Sequence, residues 1–420
     1  MRVLWFTNSP SKYDQGKHSY HGGGWIESLE ELVMEQKEIE LAVSFFHSEG
    51  FQKEKRGNTT YYPIFKKTAK KSPLKSVING FLGTIEQEEV IIPKLLEIIE
   101  DFKPDIIQVF GTEGVFATVQ KYTNVPIVIH LQGLIIPYLN AFFPPSQSQY
   151  SFIFSRNFIF KNLIGKGIIS SYNRFKKQSI REQSHFAYAK NIIGRTTWDF
   201  SVSKIYSPNS QYFHIEEVLR PLFYTHNKVH YELKSTITLV STLSDTVYKG
   251  IDVLLKCAKI LKEHTGINFK WKVIGIDNNS NLLKHFTESL HISPEKNDIE
   301  FIGKKTPEEF ISILLEADLF IHPSYIDNSP NSVCEAQIIG VPVIACNVGG
   351  LSTLIQHNET GILVPSNGVT EIVSVVIDYI QQSENYFKIG KKGREFALNR
   401  HNRERIIDDL KKTYLKIINN

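Results

Sequence analysis

The sequence predicts an α/β protein of two parallel-sheet domains, and three observations carry that prediction. Short apolar runs rich in valine and isoleucine alternate with stretches of helical periodicity, the pattern of helices laid on both faces of a parallel sheet. The alternation runs from Val3 to Leu131 and restarts at Thr236–Ser241. Glycine turns and polar motifs follow the apolar runs in both halves, at the carboxyl ends where open parallel sheets hold ligands.

In the first half, Val3–Thr7 reads as a buried strand. Gly22-Gly23-Gly24 leads into a helix with Trp25, Leu29, Leu32 and Val33 on one face. Leu41–Phe46 is a second strand, the region of Ile91–Ile99 a helix, and Pro104–Val109 and Pro126–Leu131 two further buried strands. In the second half a strand at Thr236–Ser241 precedes a helix over Ile251–Glu263, and Lys270–Gly275, Ile299–Gly303, Ala317–Ile321 and Val341–Ala345 continue the sheet. The joint falls in the irregular stretch Pro221–Lys228, which gives domains 1–225 and 229–400. The tail, Asn402–Ile418, reads as a polar amphipathic helix.

The bulk numbers bound the answer. The 420 residues suffice for two cores of ordinary domain size, and 41% apolar content is that of a globular protein. No apolar run approaches the roughly 18 residues that span a bilayer, and Met1–Asn8 lacks the long apolar region of a signal peptide. Cys257, Cys334 and Cys346 are far apart, which fits a reducing cytoplasm and no disulfide framework. The net charge of +4 is unevenly spread. Residues 151–181 interleave Arg156, Lys161, Lys166, Arg174, Lys176, Lys177 and Arg181 with phenylalanines and contain no acid, a composition suited to an anionic membrane surface. A second basic cluster, Lys66, Lys67, Lys70, Lys71 and Lys75, points the same way, with nucleic acid disfavoured.

The chemistry concentrates between Asp327 and Gly350. Ser329-Pro330 reads as a helix cap with proline in the first turn, and the unpaired amides of the helix start that follows suit a diphosphate. Asp327 stands just before that helix, where its carboxylate can accept from hydroxyls. Glu335 lies about a turn inside it and can accept from a vicinal diol such as ribose. Gly340–Ala345 and Gly349-Gly350 supply the next strand and turn. Lys249, in Lys249-Gly250 after the first strand of this half, can neutralise a leaving phosphate. No Asp-x-Asp motif or metal-ligand spacing occurs, and no complete Gly-x-Gly-x-x-Gly. His21-Gly22-Gly23-Gly24 has no Gly-x-Ser-x-Gly elbow to serve, which discards a hydrolase reading.

This segment resembles the donor-site signature of retaining GT-B glycosyltransferases, family 4 (glycosyl transferases group 1): a carboxylate, seven residues, a glutamate and alanine, a Gly-x-Pro-Val-Ile-Ala strand and a Gly-Gly turn. The resemblance is strong over about 236–365, weaker through the first domain and poor over 140–190. It implies a GT-B fold, two Rossmann-like parallel-sheet domains facing across a cleft, with the last helix crossing back to the first. It implies that Asp327 meets the transferred sugar, Glu335 the nucleotide ribose, Lys249 the diphosphate, and the backbone over Asn328, Ser329, Asn331, Ser332 and Val333 the sugar and phosphate, with Thr242 and Gly275 beside the donor. Three departures stand out. Asp327 replaces the family's glutamate, no arginine follows the strand at Ser241–Ser244, and Gln132 holds the position of a histidine, which places His130 and Gln132 among the catalytic candidates. Arg195 and the Gly22-Gly23-Gly24 turn are candidates for phosphate or acceptor contact. The implied activity is retaining transfer from a UDP- or GDP-sugar, without a metal or cofactor, to a lipid-linked or saccharide acceptor in surface polysaccharide assembly. The implied setting is the cytoplasm, with peripheral contact at the inner face of the membrane. A sugar-nucleotide 2-epimerase of the same fold and a weakly catalytic sugar-nucleotide binder remain open alternatives.

Overall fold

The computed structural model describes residues 1–14, 24–48, 52–65, 73–145 and 147–420. Two compact units emerge: 1–139 with 170–220 and 401–420, and 140–169 with 221–400.

The first unit is built on strands β1 (Arg2–Thr7), β2 (Glu40–His47), β3 (Glu54–Arg56), β4 (Thr59–Phe65), β5 (Ile106–Phe110), β6 (Ile127–His130), β7 (Asn191–Gly194) and β8 (Gln211–His214). Their order is β3-β4-β2-β1-β5-β6-β7-β8, with β3 antiparallel to β4 and every other pairing parallel. The side chains of β1 show why both faces must be covered. Val3 and Trp5 join one apolar cluster while Leu4 and Phe6 join another, as the two-residue period of a strand requires. The first cluster is closed by the Gly24–Met34 and Arg403–Ile418 helices, through Trp25, Leu29, Ile407, Leu410 and Tyr414. The second is closed by the Glu88–Phe102 helix, through Ile92, Leu95 and Ile99.

The last helix is tied in by polar contacts as well. Trp5 Nε1 donates to Tyr414 Oη at 3.1 Å, and Tyr414 in turn donates to Gln108 Oε1 on β5. Its start is capped by Asn402, whose side chain accepts from Arg405 N at 2.8 Å.

The second unit carries β9 (Ile237–Thr242), β10 (Phe269–Ile274), β11 (Ile299–Phe301), β12 (Leu319–His322), β13 (Val343–Cys346) and β14 (Ile362–Val364), all parallel, in the order β11-β10-β9-β12-β13-β14. In its own numbering this is the doubly wound order 3-2-1-4-5-6, whose ligand crevice opens between the first and fourth strands, here β9 and β12. In the first unit the equivalent reversal falls between β1 and β5.

Residues 140–169, counted with the first domain from sequence, cluster with the second unit. Phe152 stacks on His285 (4.4 Å between rings) and Phe286 (5.9 Å), on the Asn281–Leu290 helix. The basic stretch 151–181 therefore divides. Two short helices, Gln149–Ile153 and Ile159–Leu163, go with the second unit, and the long Ile168–Tyr188 helix goes with the first from Ser170 onward. Of the other basic cluster, residues 66–71 lie outside the described residues. Among the described residues no helix is long and apolar enough to cross a membrane.

Candidate functional site

In the second unit the loops after β9 and β12 meet over the strand reversal. Gly250 adopts φ +80°, and a Cβ there would lie 2.2 Å from the Pro323 carbonyl oxygen, so only glycine lets the two loops touch. Tyr325 N–H donates to Tyr248 O at 2.9 Å across the same junction. The preceding residue, Lys249, is thereby delivered to Asp327, with Nζ 2.5 Å from Oδ2. His322, the last residue of β12, places Nε2 3.1 Å from the same oxygen.

The Gly349-Gly350 turn fixes Asp327 from behind. Gly350 N–H donates to Asp327 O at 3.0 Å, and a Cβ on Gly349 (φ +54°) would sit 1.9 Å from that oxygen. Burial opposes charge on Asp327, but Lys249 and then His322 hold its carboxyl well below the usual carboxylate range. Burial likewise opposes the Lys249 ammonium, and the Asp327 carboxylate more than offsets it, so the lysine titrates above its ordinary value. His322 is pushed down by burial despite its carboxylate neighbour. The result is a sequestered ammonium–carboxylate pair with a histidine beside it.

The helix behind this pair spans Asn331–Ile339. Its cap is Pro330 (φ −70°, ψ 114°), with no side-chain cap bond, one residue later than the Ser329 cap expected from sequence. The reason is local: proline's fixed φ also fits the extended cap position, and the first backbone bond runs from Val333 N–H to Pro330 O at 3.0 Å. The amides of Asn331 and Ser332 precede that bond, the usual anion-facing position of a helix start. Asn328, Ser329 and Val333 are buried, and Glu335 is 3% exposed, so its carboxylate is not a solvated surface group. Thr242 ends β9, and Gly275 follows β10 at φ +98°, where a Cβ would meet Leu243 O at 2.4 Å. Asp327, Lys249, Thr242, Gly275 and the Asn328–Glu335 segment thus share the carboxyl edge of one sheet. His322 was missed in the sequence, although a histidine closing an apolar strand five residues before Asp327 was its signal.

The remaining candidates lie in the first unit. His130 is 1% exposed, against Trp25 (5.0 Å between rings) and Phe110 (5.5 Å), with Nδ1 3.1 Å from Gln108 Nε2. Burial, then the charge of Arg195, keeps it neutral. Arg195 is itself buried, with its guanidinium 4.9 Å over Trp25 and 3.8 Å from Glu217. Gln132 sits past the strand end, nearer the surface, where Asn8 Nδ2 donates to its Oε1 at 3.3 Å. Gly24 opens the Gly24–Met34 helix, while Gly22 and Gly23 lie outside the described residues.

Sequence reading also missed Glu113. It follows β5 at the first unit's strand reversal, and Asn8 Nδ2, just after β1, donates to its Oε1 at 2.9 Å. Its Oε2 is buried with no hydrogen-bond partner, and burial pushes its carboxyl up. That oxygen folds over Gly111 (φ +85°), where a Cβ would lie 2.2 Å away. Three residues of the Ile168–Tyr188 helix hold the loop: Gln178 donates to Glu113 O at 3.2 Å, His185 Nδ1 lies 2.9 Å from Thr112 O, and Glu182 accepts from Thr112 Oγ1. Glu182 also accepts from the amides of Ile135 (3.1 Å) and Ile136 (2.7 Å), so one buried carboxylate fixes the loops on both sides of the Glu113–Gln132 rim. The signal was Gly111-Thr112-Glu113-Gly114, a glycine-flanked acid closing an apolar strand.

Comparison with known proteins gives this arrangement a class. Sucrose-phosphate synthase from Thermosynechococcus elongatus superposes with a TM-score of 0.73 at 15% identity, covering 99% of this chain and 98% of that one. The Anabaena HepE structure in complex with UDP and glucose superposes at 0.62 and 13% identity, covering 98% of each. These likenesses define the fold, the GT-B type with two Rossmann-like parallel-sheet domains.

Residues 226–396, within a chain of the GT-B fold, match the family described as glycosyl transferases group 1. Among relatives, the amylovoran biosynthesis glycosyltransferase AmsK of Erwinia amylovora is 26% identical over 36% of this chain and 37% of its own length. The putative colanic acid biosynthesis glycosyltransferase WcaL of Escherichia coli K12 is 25% identical over 38% of this chain and 40% of its own. The chain thus spans about two fifths of the length of these relatives.

Proposed function

We propose that the protein is a retaining glycosyltransferase of the family 4 type. It moves a sugar from a UDP- or GDP-sugar to a hydroxyl of a saccharide or lipid-linked acceptor in polysaccharide assembly, in the cytoplasm at the membrane's inner face. The observation that carries this reading is the Lys249–Asp327–His322 cluster at the β9/β12 reversal, beside the start of the Asn331–Ile339 helix. The family match over this unit, and relatives whose names place them in amylovoran and colanic acid biosynthesis, support it. That HepE was solved with UDP supports a nucleotide-sugar donor.

The chemistry follows from the charges. A donor diphosphate competes with Asp327 for the Lys249 ammonium and takes the first-turn amides of Asn331 and Ser332. Asp327, relieved of its lysine, turns to the hydroxyls of the transferred sugar, and Glu335 accepts from the ribose diol. As the bond from the anomeric carbon to the phosphate oxygen breaks, the ammonium and amides stabilise the growing negative charge, so no divalent cation is needed. The acceptor oxygen bonds to the same face of the sugar, and its proton passes to the departing phosphate. Glu113, whose Oε1 accepts from Asn8 while its Oε2 is buried with no hydrogen-bond partner, is the residue of the first unit best suited to receive an acceptor hydroxyl.

The test is turnover of a panel of UDP- and GDP-sugars with oligosaccharide acceptors, with and without a chelator, reading the product's anomeric configuration by NMR. A retained configuration and chelator-resistant turnover are expected. Inversion, or a rearranged nucleotide-sugar formed without acceptor, would overturn the assignment.

A further inference from the structure

The segment between the two short helices of the second unit is built inside out. Its inward side chains are the ones that hold it: Phe152, Phe158 and Asn162 are buried, Phe158 lies 5.8 Å from His285, and Asn162 Nδ2 donates to Phe152 O at 3.2 Å. Asn281 Nδ2 donates to Asn157 O at 2.6 Å, and Arg156 pairs with Glu288 at 2.6 Å. Gly167 lets the chain pass against Asn162, where a Cβ would lie 1.8 Å from Oδ1. With the underside fixed on the Asn281–Leu290 helix, the outward side chains cannot turn in.

Those outward side chains are apolar. Phe154 is 74% exposed, Phe160 69%, Leu163 68%, Tyr150 61% and Ile159 46%. Ile159 and Leu163, four residues apart in one short helix, share a side, and Tyr150 and Phe154 stand four apart across the other helix and its C-cap. Lys161 and Lys166 are exposed among them, and no acidic residue occurs between Glu113 and Glu182. A contact for another protein's core would be expected to carry charges of both signs at its rim. Aromatic and leucine side chains set beside Lys161 and Lys166, with Glu288 of the helix beneath matched by Arg156, suit the headgroup–acyl boundary of an anionic bilayer.

We propose that residues 150–163 of the second unit form a membrane-insertion patch. Tyr150, Phe154, Ile159, Phe160 and Leu163 enter the interface of an anionic bilayer, and Lys161 and Lys166 pair with its lipid phosphates. The patch narrows the contact expected over 151–181 to the unit that carries the Lys249–Asp327 site. It does not depend on the sugar-transfer reading, because its ligand is the lipid surface itself.

The experiment is co-sedimentation of the full chain with vesicles of phosphatidylcholine alone and of equal parts phosphatidylcholine and phosphatidylglycerol, at low and high salt. Wild type is expected in the pellet with the mixed vesicles and largely in solution with the neutral ones. Phe154→Ser/Phe160→Ser/Leu163→Ser should weaken partition by at least about tenfold at either salt, since each side chain lost removes several buried CH₂ equivalents. Lys161→Glu/Lys166→Glu should weaken it at low salt only. An unchanged thermal shift on adding UDP would certify that each variant keeps its second unit folded, and would judge the donor reading separately. Wild type staying in solution with anionic vesicles, or the triple variant sedimenting like wild type, overturns the proposal. So does a wild-type dimer on gel filtration that the triple variant abolishes, which would make the patch a self-association face.

Discussion

The two units solve the same topological problem with different chemistry. Each places a carboxylate where its strand order reverses, Asp327 in the second and Glu113 in the first. Asp327 is matched by an ammonium at 2.5 Å and a histidine at 3.1 Å, and its carboxyl is driven down. Glu113 is met by the amide of Asn8, keeps one oxygen buried without a partner, and has its carboxyl driven up. A cation recruited to the rim suits a ligand that brings negative charge. Amides around a lone carboxylate suit one that brings neutral hydroxyls.

Breaking the charged site should have the largest effect. Lys249→Ala is expected to lower kcat by about 100- to 1000-fold, the usual loss when a donor to developing charge is removed. Glu335→Ala should instead raise the donor KM, by roughly 10- to 100-fold, for lost bonds to a charged acceptor. Steady-state kinetics separates the two; a wild-type kcat in the lysine variant would remove it from the phosphate site. Breaking the neutral site should matter less and differently. Glu113→Gln is expected to raise the acceptor KM by about tenfold with donor KM unchanged. Equal changes in both constants would mean that Glu113 merely supports the fold.

The smallest effect sharpens how the neutral rim is held. Burial lifts Glu182 to about 7 from an ordinary 4.5, against the pull of Thr112 and the amides of Ile136 and Ile135. An acid raised in the fold stabilises it fully below its unfolded value, and that contribution is lost as pH climbs through the folded one. Burial pushes His185 down to about 4 from 6.5, so it works the other way, penalising the fold as pH falls below its unfolded value. Between about pH 4.5 and 6.5 the two slopes oppose each other. In Glu182→Gln only the histidine's slope is left. Stability measured by denaturant should then rise from about pH 5 to pH 6.5, by on the order of 1–2 kcal/mol more than in wild type. Parallel pH profiles for the two proteins would exclude Glu182 as the titrating group.

What was legible in the sequence was what repeats. The apolar runs of β1, β2, β5, β9, β10 and β12 announce themselves because both faces of a parallel sheet are buried, leaving no polar side to dilute the signal. The segment Asp327–Glu335 was legible as a helix start flanked by two carboxylates because its parts are contiguous and need only local geometry to converge. How Glu113, Asn8 and Glu182 come together was not legible, because each meets a partner far away in the chain. Asn8 lies 105 residues from Glu113, and Glu182 lies 70 from Thr112. The allegiance of 140–169 was hidden for the same reason. Phenylalanine spacing shows that a face is apolar, whereas only Phe152 on His285 shows which unit claims it.

One structural feature reaches back to the birth of the chain. The first unit draws on 1–139, 170–220 and 401–420, and Tyr414 plugs into Trp5 and Gln108 across most of the sequence. Residues 401–420 emerge from the ribosome only after all of 221–400. The unit begun first therefore must wait, its Trp5 face uncapped, while the later one is already able to close. Nascent-chain proteolysis should find the second Rossmann sheet protected while the first is still cut, an inversion of the usual amino-terminus-first order.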